Sequence, residues 1–296
     1  METNRNLEEV SNVSFYGSRS QEGHISNIWE LMQALKNNGI NVNVEKKLAS
    51  VLSDQGYRLS VHGIKVCNRI PEDTQIAISV GGDGTFLRTA RWIEGKEIPI
   101  LGINTGHLGF LTENSAENIE DIVAIILSGN PEIEKRLVLK VECAGLAPSE
   151  WPYALNEVTL LKGNASMIDI NVEIDGFYLA SYRADGLIIS TPTGSTAYNL
   201  SVGGPILAPT LDSMVLSPIA PHTLTLRPVV IGGNSEVLAK AESRAQDFRL
   251  SIDGRSVSLP CGIPIKIKKA PHKVLTIRKP GENFASTLRE KLLWGH

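Results

Sequence analysis

The stretch that decides the fold of this chain is IAISVGGDGTFLRTAR, residues Ile76–Arg91. An apolar run typical of a β-strand leads into a glycine turn and then into a helical pattern that contains Phe86, Leu87 and Ala90. Glycines ahead of a helix N-terminus let the backbone approach a phosphate, and free N–H groups with the helix dipole favour its negative charge. The stretch therefore predicts a strand, a phosphate-binding loop and a helix.

Asp83 is the residue of this loop that needs its own explanation. The loop, Gly81-Gly82-Asp83-Gly84-Thr85, has neither the lysine of a P-loop nor the GxGxxG spacing of a Rossmann turn. A carboxylate would repel phosphate oxygens unless it holds Mg²⁺ or takes a proton from an attacking hydroxyl, and both roles imply phosphoryl transfer. The alternative is that Asp83 only caps the following helix, since aspartate is a preferred cap residue.

Composition describes an ordinary globular protein of 296 residues, with 42% hydrophobic and 21% charged residues, long enough for two domains. The net charge of −3 and the lack of a basic block give no reason to expect DNA, RNA or a membrane as partner. No apolar run reaches the roughly 18 residues of a membrane span. The start METNRNLEEVSN lacks a signal peptide's basic and apolar regions, so we expect a cytoplasmic protein with a small-molecule partner.

The cysteines predict no metal or redox site. Cys67, Cys143 and Cys261 are odd in number and far apart, and none has a CxxC or HxxxH companion. We interpret them as reduced structural thiols.

Strand and helix signals alternate up to about residue 135. A first helix is predicted by apolar residues at helical spacing, which are Ile25, Ile28, Leu31, Met32 and Leu35. Gly39 is placed to end it, and INVNVEK (40–46) follows as an extended segment. IPILGIN (98–104) and the loop TGHLGF (105–110) come later, before a helix expected from Asn114, as its cap, to Leu127, with Gly129 beyond. The alternation predicts a parallel sheet.

From KRLVLKVEC (135–143) onward the apolar period becomes two, which predicts a β-rich second domain. MIDINVEIDGFYLA (167–180) turns at Asp175-Gly176, and FRLSIDGRSVSLP (248–260) turns at Asp253-Gly254. PIKIKKA (264–270) and KVLTIRK (273–279) add two strands. A closing helix is predicted by the apolar residues of the last segment, Phe284, Leu288, Leu292 and Leu293.

Two further stretches carry candidate binding chemistry. YRADGLIISTPTGSTAYNLSVGGPI (182–206) is dense in glycine, serine and threonine around an apolar strand, and such a path can hold a ribose and an aromatic base. Its plain alternative is a strand with a polar turn. In YALNEVTLLKG (153–163), Asn156 and Glu157 could grip a vicinal diol, with the glutamate accepting from the hydroxyls and the asparagine donating.

Together these motifs resemble those of the NAD kinase family of the bacterial type, in the family's order and spacing. The similar segments are SVGGDGTFLRTAR (79–91), GINTGHLGFL (102–111), ALNEVTL (154–160), DGLIISTPTGSTAYNLSVGGPIL (185–207), PHTLTLRP (221–228) and TLREKLLW (287–294). A GGDG loop alone is shared with diacylglycerol kinases and phosphofructokinases, whereas the set is specific.

The resemblance implies an N-terminal α/β domain with a Rossmann-like parallel sheet and a β-rich C-terminal domain that binds NAD. We expect the first over residues 1–135, with 271–296 returning to it, and the second over 136–270, with the active site between them. The implied activity transfers the γ-phosphoryl group of ATP, with Mg²⁺, to the 2′-hydroxyl of the adenosine ribose of NAD, forming NADP and ADP. Members of the family assemble as homodimers or homotetramers.

The resemblance also assigns site residues. Asp83 matches the general base, and Gly84 lies beside it against the nucleotide. The other matches are Phe110 and Leu111 near the adenine, Asn156 and Glu157 at the ribose, Arg183 and Asp185 at the nicotinamide end, and Thr196, Ala197, Tyr198 and Ser201 along the dinucleotide, partly across a subunit interface. Arg88, one turn into the helix, either neutralises phosphate or is a solvated helix charge.

Some roles and alternatives stay open. His107 is expected to be a structural member of its loop, and no role is assigned to Ser166 or Arg255. His222 is expected at most to lie at the edge of the adenine pocket. A lipid kinase of the diacylglycerol type would need an apolar acceptor groove, but STPTGSTAYNLS (190–201) is polar. A non-catalytic NADP sensor would gain nothing from an acid facing phosphates. The donor could be ATP or polyphosphate, and NADH usage, oligomer size and regulation are left open.

Overall fold

A computed structural model describes residues 9–17, 23–106, 109–147, 150–164 and 166–295. The chain divides into two compact units, Met1–Lys135 with Val274–His296, and Arg136–Lys273. The boundary after Lys135 falls where the sequence pattern changes. Strand and helix signals alternate before it, and the apolar period of strands alone follows it.

An eight-stranded sheet forms the centre of the first unit. Its strands are β1 (Asn12–Gly17), β2 (Asn41–Glu45), β3 (Lys65–Cys67), β4 (Ile76–Val80), β5 (Ile100–Asn104), β6 (Asn114–Ser115), β7 (Ile133–Arg136) and β20 (Val274–Ile277). They lie in the order β3-β2-β1-β4-β5-β20-β7, with β6 beside β5. All of these strands except β7 are paired in parallel, which confirms the predicted α/β fold.

Five α-helices lie in the part of the first unit that the structure describes. They are α1 (Ile25–Asn37), α2 (Lys46–Asp54), α3 (Asp83–Trp92), α4 (Ile119–Leu127) and α6 (Phe284–Leu292), and a 3₁₀ helix spans Leu59–His62. The buried face of α1 consists of the predicted residues, Ile25, Ile28, Leu31, Met32 and Leu35. Gly39 follows with φ 80°, as expected of a residue that ends a helix. No helix among the described residues is long and apolar enough to cross a membrane.

The predicted start of α4 was wrong. The helix begins at Ile119 and not at Asn114, because Asn114 and Ser115 form β6, which pairs with β5. The Asn114 side chain donates to Gly102 O at 3.1 Å and so supports the sheet instead of capping a helix. Gly129 does follow the end of α4, with φ 66°.

The second unit consists of two six-stranded sheets in which all pairs are antiparallel. The first contains β10 (Glu157–Lys162), β13 (Gly186–Ser190), β14 (Ser213–Ile219), β15 (Val229–Gly232), β17 (Asp247–Ile252) and β18 (Arg255–Pro260). The second contains β8 (Leu139–Glu142), β9 (Tyr153–Ala154), β11 (Ile168–Ile174), β12 (Phe177–Ala184), β16 (Val237–Ser243) and β19 (Pro264–Lys269). Apolar residues of both sheets share one core. The predicted β-rich domain is thereby confirmed.

Both predicted hairpins of this unit are present. Asp175 and Gly176 join β11 to β12, and Asp253 and Gly254 join β17 to β18. All four residues have positive φ, 52° and 81° in the first turn and 46° and 77° in the second. Two successive positive φ angles match the twist of antiparallel strands, which explains the Asp-Gly pairs.

The end of the chain returns to the first unit. KVLTIRK forms β20, but this strand pairs in parallel with β5 and does not extend the antiparallel run that precedes it. Phe284, Leu288 and Leu292 are partly buried on α6. Leu293, by contrast, lies beyond the helix end with φ 50° and is 69% exposed, so its predicted packing was wrong.

The three cysteines form no disulfide with one another. Burial and, to a smaller extent, the charge of Glu45 raise the pKa of the Cys67 thiol to about 11. Since the thiolate is the reactive form, this cysteine is a poor nucleophile at neutral pH.

Candidate active site

The phosphate-binding loop connects β4 to α3 at the carboxyl edge of the parallel sheet. Gly81 has φ 143°, and its N–H donates to Ile103 O on the adjacent β5 at 2.8 Å. Thr85 N–H donates to Gly82 O at 2.8 Å, so the N–H groups before Thr85 are not used by the helix itself. Ligands of open parallel sheets bind at this edge, where free N–H groups favour a negatively charged group.

Asp83 is the first residue of α3, and its side chain does not cap that helix. Oδ2 accepts the N–H of Phe110 at 2.8 Å. Oδ1 accepts the N–H of Leu111 at 3.0 Å and the hydroxyl of Thr112 at 3.3 Å. The capping alternative was therefore wrong, because the carboxylate joins the loop after β4 to the loop after β5. Within the described residues Oδ2 keeps one lone pair for a further donor, whereas both lone pairs of Oδ1 are occupied.

The loop after β5 lies close against Asp83. A Cβ atom at Gly109 would overlap the Asp83 carboxylate, so only glycine fits there. The Asn104 side chain donates to Thr112 Oγ1 at 3.1 Å and accepts the N–H of Gly106 at 2.7 Å. His107, predicted as a structural member of this loop, lies outside the described residues.

Gly109→Ala is expected to lower kcat by about tenfold, equal to about 1.4 kcal/mol of the activation barrier. The added methyl group would push Asp83 or the loop out of position, and turnover measured at saturating substrate checks this. Gly106→Ala is the matched control in the same loop, because a Cβ at Gly106 meets no atom of the described residues within 4 Å. Equal activity of the two variants would show that the contact with Asp83 does not matter.

The other predicted residues of the first unit lie near this loop. Arg88 donates to Thr85 Oγ1 at 2.9 Å and also hydrogen-bonds Tyr16, so it is more than a solvated helix charge. Gly84 is exposed in the first turn of α3, and Phe110 is partly exposed. Leu111 is only 4% exposed, and its N–H is the group that meets Asp83.

In the second unit, Asn156 and Glu157 are held at the start of β10 by Asp253. The Asp253 carboxylate accepts the N–H groups of Leu155 at 2.7 Å, Asn156 at 2.8 Å and Glu157 at 3.1 Å. The sequence indicated Asp253 only as a turn residue. Asp253 lies far from Asn156 along the chain, so no local sequence pattern could predict that Asp253 positions Asn156.

The Glu157 carboxyl is in an unusual electrostatic environment. Burial raises its pKa to about 8, and the charge of Asp253 contributes. Glu157 Oε2 is buried and has no hydrogen-bond partner among the described residues. A buried oxygen without a partner is costly, so this atom is a candidate to receive a donor from a ligand.

Glu157→Gln is expected to stabilise the protein at alkaline pH. The folded state holds the Glu157 proton up to about pH 8, so ionising that group costs folding free energy as the pH rises from its ordinary pKa through this value. Chemical denaturation at pH 5.5 and 8.5 should give the variant a gain in stability that is larger at pH 8.5 by on the order of 3 kcal/mol, because part of the cost is already present at pH 5.5. Glu173→Gln, on β11, is the control. A gain that is equal at both pH values would contradict the assigned environment.

The glycine-rich segment after β13 lies against Asn156. Thr191 N–H donates to Asn156 O at 2.9 Å, and Gly194 N–H donates to Thr191 Oγ1 at 3.0 Å. A Cβ at Gly194 would overlap the Asn156 backbone, so the close approach requires glycine. The structure therefore brings two of the predicted stretches together within this unit.

Four predicted residues follow in a 3₁₀ helix, Thr193–Thr196, and in α5 (Tyr198–Ser201), joined by Ala197. Tyr198 is 39% exposed and Ser201 is exposed. Asn199, which the sequence analysis missed, is buried between them and fixes the segment. Its side chain donates to Ser195 O and Pro205 O, each at 3.1 Å, and accepts the Ser217 hydroxyl at 2.6 Å.

Arg183 and Asp185 are each paired elsewhere. Arg183 forms two hydrogen bonds with Asp169, the shorter of 3.0 Å, and Asp185 accepts Lys162 Nζ at 2.6 Å. Within the described ranges, no hydrogen bond or ion pair joins them to the α5 segment.

The three residues whose roles the sequence leaves open have structural contacts. Arg255 donates to Trp151 O at 2.7 Å and to Tyr153 O at 2.9 Å, and so holds the strand before Asn156. His222 N–H donates to Arg183 O at 2.9 Å. Ser166 N–H donates to the side chain of Asn164 at 2.8 Å.

Asp83, which among the described residues keeps one lone pair for a further donor, is suited to take the proton of a hydroxyl that attacks a phosphoryl group held in the glycine loop. The fold and this site therefore define the chain as a kinase that acts on a small-molecule substrate.

Comparisons with known proteins identify the family. The ATP-NAD kinase N-terminal domain matches residues 17–130 and the ATP-NAD kinase C-terminal domain matches residues 155–279. The NAD kinase of Porphyromonas gingivalis is 41% identical over 97% of this chain and 99% of its own. That of Flavobacterium psychrophilum is 41% identical over 96% and 98%. This chain belongs to the NAD kinase family, and the predicted kinase function is confirmed.

Solved structures agree. Yeast NADH kinase complexed with NADH superimposes with a TM-score of 0.87 at 25% identity, over 97% of this chain and 89% of that one. An NAD kinase from Archaeoglobus fulgidus in complex with ATP gives a TM-score of 0.70 at 28% identity, over 91% and 94%. Nothing in these relatives favours the lipid kinase alternative.

Proposed function

We propose that this chain transfers the γ-phosphoryl group of ATP to the 2′-hydroxyl of the adenosine ribose of NAD, forming NADP and ADP. The observation that carries the proposal is the Asp83 carboxylate, which lies in the phosphate loop and whose Oδ2, within the part of the chain that the structure describes, has a lone pair free for a donor. A sensor that only bound NADP would have no use for such an acceptor.

In the proposed step, the 2′-oxygen bonds to the γ-phosphorus while the bond from that phosphorus to the β–γ bridging oxygen breaks. The electron pair of the broken bond leaves with ADP, and the 2′-hydroxyl proton goes to Asp83 Oδ2. Proton transfer of this kind contributes about 10²- to 10⁴-fold to a rate. The loop N–H groups align the phosphoryl group, and alignment is most of what phosphoryl transfer asks of a protein.

The second unit is proposed to bind the dinucleotide. Glu157 and Asn156 would hold the ribose diol, since Glu157 offers a buried oxygen without a partner. Thr196, Ala197, Tyr198 and Ser201 would line the dinucleotide, and Arg183 and Asp185 would lie at its nicotinamide end. Their ion pairs with Asp169 and Lys162 would then have to open or turn outward when the ligand binds.

Phe110, Leu111, Gly84 and Arg88 are proposed to contact nucleotide from the first unit. Phe110 and Gly84 offer exposed surface, whereas Leu111 offers backbone. Magnesium is proposed to enter with ATP as part of the MgATP substrate, because Mg²⁺ is usually held by phosphates and waters with only one or two carboxylates. It would offset charge on the phosphates, and the proton still goes to Asp83.

A coupled assay tests the activity. NADP is followed with an NADP-specific dehydrogenase while ATP or polyphosphate is the donor and NAD the acceptor, with NADH tested by chromatography of the products. NADP formed from ATP and NAD supports the proposal, and phosphorylation of neither nucleotide would contradict it.

We also propose that the chain works as a homodimer or homotetramer. In the second unit, the edge strand β12 exposes Phe177 (79%) and Tyr178 (67%), and Tyr198 is partly exposed as well. Exposed apolar edges are typical of surfaces that pair with another chain. Dilution is therefore expected to reduce specific activity and light-scattering mass together. A fully active monomer at nanomolar concentration would contradict a shared NAD site.

A cytoplasmic location is proposed on chemical grounds. The free thiols of Cys67, Cys143 and Cys261 fit a reducing compartment. Fractionation of cells that express the tagged chain checks this.

A further inference from the structure

Lys291 on α6 has a buried ammonium group that finds no hydrogen-bond partner among the described residues. Its Nζ lies 5.5 Å from the centre of the Phe110 ring. The backbone N–H of Phe110 is the group that Asp83 Oδ2 accepts. The last helix of the chain therefore places a positive charge beside the proposed base.

Among the described residues, none of the acids near Lys291 forms an ion pair with its ammonium group. Those that act on it are Asp83, Glu113, Glu282 and Glu290. Glu113 pairs with Arg278 at 3.1 Å, and Glu282 pairs with Lys279 at 2.9 Å. Two of the four acids thus already have partners other than Lys291.

A buried ammonium in this condition is costly, since the effective penalty for taking an ion out of water is several kcal/mol. Burial lowers the pKa of Lys291, and the four acids oppose that effect, Asp83 most strongly. The phosphate loop itself contains no lysine. A bound phosphoryl group would give the ammonium its missing partner in a place where water is largely excluded.

We propose that Lys291 binds the phosphoryl group in transfer and supplies the cation that the glycine loop lacks. The inference rests on the proposed kinase function. While the γ-phosphorus gains its bond to the 2′-oxygen and loses its bond to the bridging oxygen, negative charge on the moving group faces the ammonium. Lys291 keeps its proton, and the hydroxyl proton goes to Asp83.

Lys291→Met tests the proposal, because methionine keeps the unbranched apolar stem and removes the charge. We expect kcat to fall by about 10²-fold, the cost of removing one preorganised charge-stabilising group. We expect the melting temperature to stay level or rise, because the thioether needs no partner. Lys291→Arg should recover part of kcat. Arg289→Met, an exposed cation on the same helix, is the control and should keep wild-type kcat.

The pH dependence gives a second readout. The ammonium is the active form, so the rate should be lost as the pH rises through the lowered pKa of Lys291. In Lys291→Arg this alkaline limb should move to higher pH, because a guanidinium stays charged there. An alkaline limb at the same pH in both proteins would overturn the assignment.

If Lys291 only stabilised the fold, Lys291→Met would lower the melting temperature and leave kcat unchanged, which is the opposite of the expected result. If Lys291→Met lowers the melting temperature while the folded protein keeps wild-type kcat, the proposal is overturned. If the wild-type chain makes no NADP from ATP and NAD, the kinase function fails separately. Calorimetry with inorganic triphosphate then decides on Lys291, because weaker binding by Lys291→Met supports the phosphoryl site and equal binding overturns it.

Discussion

Asp83→Asn is expected to lower kcat by about 10²- to 10⁴-fold, the range for loss of a general base. An amide cannot take the 2′-hydroxyl proton, although it is nearly the same size as the carboxylate. ATP binding should persist, since the loop N–H groups proposed to bind the phosphates are unchanged. Single-turnover NADP formation and ATP calorimetry measure the two effects separately.

The control for this experiment is Thr112→Val, which removes one donor to Asp83 and keeps the carboxylate. We expect it to cost much less than Asp83→Asn, because only the 3.3 Å hydroxyl contact is lost from the acid. A loss as large as that of Asp83→Asn would mean that Asp83 serves mainly to hold the loop after β5. Unchanged turnover in Asp83→Asn would remove the base role altogether.

Glu157→Ala is expected to raise the KM for NAD by about 10- to 10²-fold while the KM for ATP changes little. Leaving a buried hydroxyl group of the ligand without its hydrogen-bond partner costs about 1 to 3 kcal/mol, which corresponds to that range. The substitution removes the buried oxygen proposed to hold the ribose diol. Initial rates with each substrate varied in turn give both constants.

Glu173→Ala, on β11 in the same unit, controls for loss of a glutamate and should leave both constants unchanged. A melting curve shows whether the Glu157 variant is folded. Equal rises in both KM values, or none, would place Glu157 outside the NAD site.

Much of the fold could be predicted from the sequence because local pattern and tertiary structure agree there. Ile76–Val80 is apolar throughout and is buried throughout as β4. The Asp-Gly turns were found because only few residues accept the positive φ that a hairpin turn needs. The start of α4 was missed because the pairing of Asn114 with β5 depends on a partner strand that no local cap signal reveals.

The contacts of the candidate site could not be predicted in the same way. Asp83 was singled out by its chemistry, but the N–H groups that it accepts come from residues 27 and 28 positions later. Asp253 lies 97 positions from Asn156, and the local pattern predicted only a turn at Asp253. Such contacts form because the order of the strands in a sheet brings distant loops together. The local sequence does not reveal that order.

The most direct test of the central claim, that Asp83 serves phosphoryl transfer to the 2′-hydroxyl of NAD, locates the new phosphate in the product. Purified wild-type chain and Asp83→Asn are incubated with MgATP and NAD, and the products are followed by ³¹P NMR. We expect a 2′-phosphate signal that grows with ADP in the wild type and is nearly absent in the variant. A 3′-phosphate, ADP with only free phosphate, or equal 2′-phosphate from both proteins would contradict the claim.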